Sequence, residues 1–313
     1  MPEQVGVIGL GKMGSRMAVR LHQHNVQVVG CDASADAIKA AAASDVRAVA
    51  SIRELISALQ SPRLIWLMVP PTGAVDAVLR ELLDHGTAEG DLVVDGGNSD
   101  FRDTIRRSAM LRERGIHFLD VGTSGGLRGA EEGFSFMVGG ETSAYQRLEP
   151  VLAAMAAPGG YAHVGPSGSG HFVKMVHNAI EYGIMAAIGE GLELLVRGPY
   201  ESLDMAKIAH VWNHGGIIRS YLLELTERLL RSNPRLDGIA GYVEDTGLAR
   251  VAVREAIDCN VPLYVISDAL FGRLRSRQEE SFAAKVIAGL RHEFGGHEVM
   301  RSRVSAHAKD PTP

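Results

Sequence analysis

The sequence predicts an α/β Rossmann-type N-terminal domain followed by an all-α C-terminal domain. Three observations lead to this fold class. The chain opens with a strand, a glycine turn and a helix; strand and helix patterns then alternate up to about residue 165; and helical patterns dominate after that point. A chain of 313 residues that is 46% hydrophobic is long enough to bury the cores of two such domains.

The glycine turn at residues 9–14 reads Gly-Leu-Gly-Lys-Met-Gly and follows a short buried strand pattern at residues 5–8. Gly9 permits the tight turn, Gly11 lets the backbone approach a pyrophosphate at the N-terminus of the following helix, and Gly14 allows that helix to pack closely on the strand. The turn therefore predicts a dinucleotide site. A glycine turn without a ligand is the alternative.

Asp32 closes the next strand pattern, 18 residues after Gly14. A carboxylate at this place accepts a hydrogen bond from a ribose hydroxyl and repels a 2′-phosphate. We therefore predict NAD, in preference to NADP, as the cofactor. The residues predicted to bind it are Gly9, Leu10, Gly11, Lys12, Met13, Gly14, Asp32, Val69 and Asn98.

The strand and helix patterns that follow predict a parallel sheet. Residues 64–69 read as a strand, residues 73–83 as a helix and residues 92–95 as the next strand. Asn98 comes just after the carboxyl end of that last strand, where open α/β sheets bind ligands. Two interpretations of Asn98 stay open: it contacts the substrate or nicotinamide, or it caps the helix that begins near Phe101.

A second glycine-rich turn, Ser124-Gly125-Gly126, follows a strand pattern at residues 117–120. Consecutive backbone N–H groups in such a turn, together with the serine hydroxyl, can hold a carboxylate. The turn predicts an anion site, and an ordinary turn is the equally weighted alternative. One more strand is predicted at residues 134–138.

Composition changes from α/β to helical at the glycine- and serine-rich segment 165–170, where we place the domain boundary. The predicted domains are a dinucleotide-binding domain at residues 1–165 and a helical domain at residues 166–300. Residues 301–313 are polar and end in Pro-Thr-Pro, which is typical of a mobile tail.

A long apolar helix pattern begins at Ser169 and carries three polar groups on one face. At about 100° per residue, Lys174, Asn178 and Glu181 fall within roughly 60° of one another, with His177 beside them. The other positions of the helix are mostly apolar, so we expect it to be buried in the fold. A base and an acid buried together indicate a catalytic site. A buried ion-pair network and a solvated face are the alternatives.

Arg219 lies after two glycines in the segment Trp-Asn-His-Gly-Gly-Ile-Ile-Arg-Ser at residues 212–220. Its guanidinium group suits an anion such as phosphate, because it presents several N–H donors in a fixed plane. An arginine on the surface of a helix is the alternative interpretation.

Charge and cysteine content argue against several classes of protein. The formal net charge is −5 and the pI about 6.2, with Lys and Arg scattered, so we expect no nucleic-acid or membrane surface. Cys31 and Cys259 lie far apart, so we expect reduced thiols and a cytoplasmic protein. The chain opens without a secretory pattern and shows no paired metal-ligand spacing or nucleophile motif, so we predict no metal.

On these residues the sequence resembles the 6-phosphogluconate dehydrogenases of the β-hydroxyacid dehydrogenase superfamily, in their short, NAD-preferring branch. The two glycine turns are shared across the superfamily. The segments His-Phe-Val-Lys-Met-Val-His-Asn-Ala-Ile-Glu-Tyr at 171–182 and Ile-Ile-Arg-Ser at 217–220 are much more specific to 6-phosphogluconate dehydrogenases. The resemblance spans nearly the whole chain. It implies oxidative decarboxylation of 6-phospho-D-gluconate to D-ribulose 5-phosphate and CO2, with reduction of NAD.

The resemblance also implies roles for individual residues. Lys174 would be the general base that takes the proton of the substrate's 3-hydroxyl, and Glu181 the general acid that protonates C1 of the enediol left by loss of CO2. These roles require an environment that brings the pKa of each group toward neutrality. The residues implied to bind the sugar acid are Asn98, Ser124, Gly125, Gly126, His177, Asn178, Tyr182, Arg219, Arg291 and His297.

Further implications concern the helical domain, the assembly and the phosphate. The resemblance implies that the helical domain at residues 166–300 serves substrate binding and dimerisation. Arg291 and His297 correspond to residues that, in the family, reach the neighbouring subunit's site, which implies a homodimer or homotetramer with shared sites. Residues 247–251 read Gly-Leu-Ala-Arg-Val, whereas the family usually carries a Gly-x-Gly-Arg/Lys-Trp loop with a lysine nearby. Arg250 is a candidate substitute for that lysine. The alternative functions are a β-hydroxyacid dehydrogenase that does not decarboxylate and a dinucleotide-binding sensor without turnover.

Overall fold

The structure is a computed structural model and describes residues 4–71 and 73–300, without the side chain of Leu127. The tail predicted at residues 301–313 lies outside this description. The chain divides into two compact units, of which the first ends at Glu181 and the second begins at Tyr182. The domain boundary at residue 165 stays a prediction.

The first unit contains one sheet, whose strands are β1 (Gln4–Ile8), β2 (Gln27–Cys31), β3 (Arg47–Val49), β4 (Leu64–Leu67), β5 (Leu92–Asp95), β6 (His117–Ser124), β7 (Phe134–Gly140) and β8 (Ala156–Gly165). Their order is β3-β2-β1-β4-β5-β6-β7-β8. β1 to β6 run parallel, β7 is antiparallel to β6, and β8 is parallel to β7. The direction of winding reverses between β1 and β4, and such a switch point is where open α/β sheets bind ligands.

The central strands β1, β4 and β5 are buried on both faces of the sheet, as the strands of parallel sheets are. Val5 and Trp66 belong to one hydrophobic core. Ile8 and Ile65, their neighbours along the same strands, belong to a second core. The accompanying helices are α1 (Gly14–Gln23), α2 (Ala35–Ala42), α3 (Ile52–Ala58), α4 (Gly73–Asp84), α5 (Phe101–Arg112), α6 (Gly129–Glu132), α7 (Thr142–Met155) and α8 (Ser169–Arg197), with a 3-10 turn at Gly126–Arg128.

The glycine turn after β1 forms the tight connection that the sequence predicts. Gly9 has φ = +94°, a left-handed conformation that favours glycine. A Cβ added at Gly14 would lie 1.9 Å from the Gly9 carbonyl oxygen, so only glycine lets α1 come this close to the turn. A Cβ added at Gly11 would meet nothing within 4 Å. The backbone at Gly11 is therefore open to a ligand.

The second unit is helical, as predicted. Its helices after α8 are α9 (Met205–Asn213), α10 (Tyr221–Ser232), α11 (Leu248–Asp258), α12 (Tyr264–Ser276) and α13 (Phe282–Gly295). Tyr182, Ala249, Ala269 and Leu270 form a small buried cluster in this unit. Across residues 4–71 and 73–300, none of the helices has both the length and the hydropathy that crossing a membrane requires.

The prediction that α8 is buried throughout is wrong for the single chain. Lys174 near its start is 5% exposed, but Ile184 is 42%, Leu194 73% and Val196 68% exposed. At about 1.5 Å per residue, a helix of 29 residues spans roughly 44 Å, well beyond the 8-residue strand β6 on which it begins. The end of α8 therefore leaves apolar side chains uncovered.

Two strands differ from the sequence-based expectation. β6 continues to Ser124, because residues expected to form a turn pair with β7 instead. β8 is not predicted from the sequence, since its proline and two consecutive glycines interrupt the alternating pattern of a strand. Cys31 is buried and Cys259 exposed, and neither forms a disulfide with a residue that the structure describes.

Candidate active site

The start of α8 is held by a carboxylate from the sheet. Asp120 on β6 is fully buried, and its Oδ1 accepts a hydrogen bond from the Gly168 N–H at 2.8 Å while its Oδ2 accepts one from the His171 N–H at 2.9 Å. The first turn of α8 has no acidic residue of its own. Asp120 therefore satisfies free N–H groups at the helix N-terminus and places a negative charge at the positive end of the helix dipole.

His171 ties the same turn of α8 to two further elements. Its Nε2 lies 3.1 Å from the carbonyl oxygen of Asp95 on β5, and its Nδ1 lies 2.8 Å from the hydroxyl of Thr104 on α5. Because a carbonyl oxygen only accepts, Nε2–H is the donor to Asp95. In the neutral ring Nδ1 then accepts from the Thr104 hydroxyl, whose other acceptor is the Asp100 carbonyl oxygen at 3.2 Å. The imidazole is 2% exposed. The first turn of α8 is thus fixed by the sheet and by α5.

Lys174 follows one turn later and is a buried lysine. Its side chain lies on Gly122 of β6, where an added Cβ would come within 2.4 Å of the Lys174 Cβ. Burial lowers the pKa of Lys174 to about 8, and the opposing influence is the negative charge of Glu181, which favours the ammonium form. A lysine with this pKa has a substantial neutral fraction near pH 8 and can accept a proton.

His177 links Lys174 to the second glycine-rich turn. The Nδ1 of His177 lies 3.3 Å from Lys174 Nζ and 3.2 Å from the Oδ1 of Asn178, and its Nε2 lies 3.4 Å from the Ser124 hydroxyl. One ring nitrogen either accepts from the ammonium or donates to the amide oxygen. The tautomer of His177 is therefore coupled to the proton on Lys174.

Asn98 bridges the loop after β5 to the end of β6. Its Oδ1 accepts from the Thr123 N–H at 3.0 Å, and its Nδ2 donates to the Thr123 carbonyl at 3.4 Å. The alternative that Asn98 caps α5 is wrong, because Asp100 is the capping residue and accepts from the Arg102 N–H at 2.8 Å. Asn98 has φ = +56°, a conformation that asparagine tolerates better than most residues.

Asp32 lies at the end of β2, directly beside the glycine turn. Its Oδ2 accepts from the Leu10 N–H at 2.7 Å and its Oδ1 from the Ser34 N–H at 2.8 Å. The side chain of Leu10 packs on Gly30, so only its backbone faces the turn. Val69 also borders the turn, with its Cγ1 3.3 Å from the position of a Cβ at Gly9.

These residues fit a dinucleotide. Gly11 is exposed and has open space at its Cα, and Lys12 beside it is exposed. The helix α1 begins at Gly14, directly after this turn, and a helix N-terminus favours a negatively charged pyrophosphate. The Asp32 carboxylate at the neighbouring strand end is partly exposed and retains acceptor capacity for a ribose hydroxyl.

Residues 4–168 match the family described as the NAD binding domain of 6-phosphogluconate dehydrogenase, and residues 170–307 match the 6-phosphogluconate dehydrogenase C-terminal domain. The chain belongs to the 6-phosphogluconate dehydrogenase family. The family is one of oxidoreductase enzymes, and the resemblance inferred from the sequence is confirmed.

Two relatives of this 6-phosphogluconate dehydrogenase family member match along nearly their whole lengths. One is the NAD(+)-dependent, decarboxylating 6-phosphogluconate dehydrogenase of Haloferax volcanii, 44% identical over 300 residues, with 95% of this chain and 99% of that protein covered. The other is a Bacillus subtilis protein named provisionally as a 6-phosphogluconate dehydrogenase, 44% identical over 294 residues, with 94% of this chain and 98% of that protein covered.

A solved structure of the family has the same fold. It is the Plasmodium falciparum 6-phosphogluconate dehydrogenase, determined in its apo form and in complexes with NADP+ and with 6-phosphogluconate. The TM-score is 0.81 at 28% sequence identity, and the match covers 96% of this chain and 67% of that chain. The predicted fold class, a Rossmann-type domain followed by a helical domain, is confirmed for this member of the 6-phosphogluconate dehydrogenase family.

The first unit brings together many of the predicted site residues of this family member. Lys174, His177 and Asn178 lie on α8; Lys174 and Asn178 contact His177, and His177 contacts Ser124 at the end of β6. Gly125 and Gly126 have φ values of +119° and +54°, so this turn has the left-handed backbone that lets consecutive N–H groups converge. Glu181 is partly exposed and lies on the same helix, two turns after Lys174.

Other predicted site residues lie in the second unit. Tyr182 is buried, its hydroxyl lies 3.2 Å from the Thr246 hydroxyl, and the Arg273 guanidinium lies 3.4 Å above its ring. Arg219 is exposed and forms no ion pair with any residue that the structure describes. Arg291, near the end of α13, is exposed too.

The segment that departs from the family pattern is the start of α11. Gly247 caps the helix with φ = +88°, and its N–H donates to the Asp245 carboxylate at 2.9 Å. Arg250 forms an ion pair with the same carboxylate. The charge of Arg250 is therefore partly neutralised within its own segment.

His297 follows α13 and is exposed, with its backbone carbonyl accepting from His292 at 2.8 Å.

Sequence reasoning missed the residues that fix α8. Asp120 could have been noticed as a charged residue at the end of an apolar strand pattern, which burial makes costly without partners. No sequence signal identifies Gly122 as the contact of Lys174. His171 was part of the specific family segment, but nothing in the sequence shows that its ring binds Thr104 and Asp95.

Proposed function

We propose that this protein catalyses the oxidative decarboxylation of 6-phospho-D-gluconate to D-ribulose 5-phosphate and CO2, with reduction of NAD. The observation that supports this most strongly is Lys174, a 5% exposed lysine whose pKa is lowered by burial to about 8. It lies beside His177 and on the same helix as Glu181. A buried base and an acid on one helix match the two proton transfers that this reaction needs.

The first proton transfer is assigned to Lys174. In its neutral form, its Nζ takes the proton from the 3-hydroxyl of the sugar acid, which drives formation of the 3-keto acid. NAD, when bound, supplies the hydride acceptor for C3. The Lys174 ammonium then hydrogen-bonds the new 3-keto oxygen and stabilises the negative charge that develops there as CO2 leaves. His177 accepts from the same ammonium through Nδ1 and so keeps it oriented.

The second proton transfer is assigned to Glu181. As CO2 leaves, the Lys174 ammonium gives its proton to the keto oxygen, and the product is an enediol. The Glu181 carboxyl then gives a proton to C1 while neutral Lys174 takes the proton of the enediol hydroxyl back, which completes ribulose 5-phosphate. A dehydrogenase that does not decarboxylate has no enediol to protonate, so an acid at this position is informative about the reaction. Asn98, Ser124, Gly125, Gly126 and Asn178 are proposed to bind the carboxylate and hydroxyl groups of the substrate.

We assign cofactor preference to Asp32. Its carboxylate repels a 2′-phosphate and binds a ribose 2′-hydroxyl, which favours NAD over NADP. The relative from Haloferax volcanii is named as NAD(+)-dependent, whereas the Plasmodium falciparum structure includes an NADP+ complex. Because these two relatives differ in cofactor, we base the cofactor preference of this chain on its own residue Asp32.

The phosphate of the substrate is assigned to Arg219. This side chain is exposed and is not committed to an ion pair among the described residues. Arg250 is a weaker choice, because Asp245 already neutralises part of its charge. An arginine with all its N–H donors available binds a phosphate with two parallel hydrogen bonds.

We also propose a homo-oligomer whose subunits share sites. No residue of α13 is buried, and this includes its apolar side chains: Phe282 is 81%, Leu290 57% and Phe294 77% exposed. A second copy that covers this surface would remove a large apolar area from water. Arg291 and His297 are proposed to contribute to the partner's phosphate site. Phe294→Asp should shift the molar mass measured by light scattering toward the monomer and lower activity together.

The proposed reaction is tested by incubating purified protein with NAD and 6-phosphogluconate. We expect the absorbance of reduced nicotinamide to rise with release of CO2 in equal amount. Reduced nicotinamide without CO2 would indicate a dehydrogenase that does not decarboxylate, and the absence of both would indicate a binding protein without turnover. In Glu181→Gln, ribulose 5-phosphate formation should fall severely while NAD binding is retained; near-normal turnover would rule out Glu181 as the acid.

A further inference from the structure

Three potential metal ligands converge on two helices of the second unit. His210 lies on α9, His214 follows the end of that helix, and Glu227 lies on α10. One ligand atom from each of these residues lies within 4.8 Å of the others. The two histidines have the H-x3-H spacing that places both side chains on one face of a helix. The expectation of no metal-ligand spacing overlooks this pair.

Hydrogen bonds in the cluster leave the required nitrogen atoms available. The Nδ1 of His214 lies 2.8 Å from the His210 carbonyl oxygen, so Nδ1–H is the donor and Nε2 carries the free lone pair. The Nδ1 of His210 lies 2.9 Å from the Glu227 Oε1. A metal ion can replace the proton between these two atoms, because ligand atoms around a tetrahedral ion lie only about 3.3 Å apart.

The charge and burial of Glu227 also favour a cation. Glu227 is 8% exposed, and its carboxylate forms an ion pair with Arg231 at 2.6 Å in addition to its contact with His210. The Arg231 guanidinium lies on Oε1, the same carboxylate oxygen that contacts His210, and competes with an ion for its charge, which limits the affinity; Oε2 of the same carboxylate is the second possible ligand oxygen. His214 is exposed and gives an ion in solution a route to the site.

We propose that His210, His214 and Glu227 form a binding site for a divalent transition-metal ion of the Zn2+ class. Two imidazoles and one carboxylate suit Zn2+ or Co2+, whereas Mg2+ and Ca2+ prefer oxygen ligands. On binding, the imidazole of His210 stays neutral by exchanging its proton from Nδ1 to Nε2 through solvent, and the Nδ1 lone pair and one carboxylate oxygen of Glu227 bind the ion. Three protein ligands leave a coordination position for water.

The position of the site connects it to the loop that carries Arg219. His214 begins this loop, and Ser220 at its end donates its N–H to the Asn213 side chain at 2.9 Å. An ion that joins His214 to α10 restrains the loop at both ends. This consequence rests on the proposed function, in which Arg219 binds the substrate phosphate. The ion then raises the affinity for 6-phosphogluconate by ordering the loop before the substrate binds.

Direct titration with metal tests the site independently of activity. Chelator-treated full-length protein is titrated with Zn2+ by calorimetry and with Co2+ by visible absorption. We expect one ion per chain and at least tenfold weaker binding in His210→Ala and in Glu227→Gln. His22→Ala, which removes an exposed histidine on α1, is the matched control and should bind as the wild type does. Equal binding in all four proteins, or no binding in the wild type, would overturn the proposal.

A second variant and a second measurement guard against misfolding and separate the two proposals. His214→Gln removes the ligand nitrogen but keeps an N–H for the His210 carbonyl, and it should lose Zn2+ binding with an unchanged melting temperature in chelator. Zn2+ should tighten 6-phosphogluconate binding severalfold in the wild type and leave it unchanged in His214→Gln. An equal effect of Zn2+ on both proteins contradicts the link to the loop. If the protein binds Zn2+ but does not bind 6-phosphogluconate, the metal-site proposal stands and the proposed substrate is wrong.

Discussion

The side chain of Lys174 lies against the bare backbone of Gly122. A Cβ added at Gly122 would come within 2.4 Å of the Lys174 Cβ and 2.7 Å of the Gly170 carbonyl oxygen. Gly170 itself has no room for a side chain, since a Cβ there would lie 2.5 Å from the Asp120 carbonyl oxygen. Two glycines, one on the strand and one on the helix, thus set how closely α8 approaches the sheet and where the buried lysine lies.

Gly122→Ala should displace Lys174 and lower activity. The added methyl group meets Cβ and backbone atoms, which cannot move without shifting α8, so we expect kcat to fall at least tenfold and stability to fall by about 1–3 kcal/mol. Steady-state kinetics and urea denaturation measure the two effects. Gly189→Ala, on the same helix with open space around it, is the matched control and should leave kcat unchanged and add about 0.5–1 kcal/mol of stability. Unchanged kcat in Gly122→Ala would contradict the positional role.

The pH dependence of kcat/KM should report the proton on Lys174. A general base acts in its neutral form, so below its pKa of about 8 the rate should rise about tenfold per pH unit and level off above it. The measurement is kcat/KM for 6-phosphogluconate across this range at constant ionic strength. A profile that is flat from pH 6 to 8 would exclude Lys174 as the base.

Lys174→Met should abolish activity and stabilise the fold. The folded-state pKa is below the unfolded value of about 10.5, so the unfolded chain binds more protons between these values and wild-type stability rises with pH across that window. At pH 7 the cost of the buried lysine is full, on the order of 3 kcal/mol.

Urea denaturation at pH 7 and pH 10 checks this prediction. The free energy of unfolding of Lys174→Met should exceed that of the wild type by the largest amount at pH 7, and this difference should be smaller at pH 10. Lys39→Met, which alters an exposed lysine of the first unit, is the control and should show little change at either pH. If Lys174→Met were less stable than the wild type at pH 7, the lysine would not be paying a desolvation cost.

Asp120→Asn should weaken catalysis without affecting cofactor binding. The amide keeps one acceptor oxygen for the N–H groups of Gly168 and His171 but loses the charge at the helix N-terminus. We expect kcat to fall about tenfold, KM for NAD to stay the same, and stability to fall by about 1–3 kcal/mol. Asp100→Asn alters the cap of α5 and should lower stability while leaving kcat alone. Equal effects of the two variants on kcat would argue against a positioning role for Asp120.

Asp32 should set the choice between NAD and NADP. We expect a higher kcat/KM with NAD than with NADP. Asp32→Asn should reduce the ratio of the two kcat/KM values, because the amide loses the negative charge but keeps an acceptor for the Leu10 N–H. Asp32→Ala loses both backbone hydrogen bonds of the carboxylate and should weaken binding of both cofactors as well. The measurement is kcat/KM for each cofactor in the three proteins. Equal wild-type values with NAD and NADP would contradict the assignment.

Local patterns in the sequence predict much of this molecule. The glycine turn at Gly9 and Gly14, the alternation of strands and helices, and the helix that carries Lys174 and Glu181 all depend on residues close in sequence. The conformational preference of glycine and the periods of helix and strand are local properties, so they can be read before any packing is known.

Tertiary packing decided which residues far apart in the sequence come into contact, and local sequence patterns carry no information on such contacts. Asp120 binds the start of α8 from 48 residues away, Asn98 binds Thr123 rather than capping α5, and His210 meets Glu227 from a neighbouring helix. The sequence gives no distance between such residues, because those distances follow from how whole elements pack. The same holds for the exposed end of α8, whose apolar side chains predicted burial: hydrophobicity shows that a surface requires cover, and only the three-dimensional arrangement shows whether the chain itself supplies it.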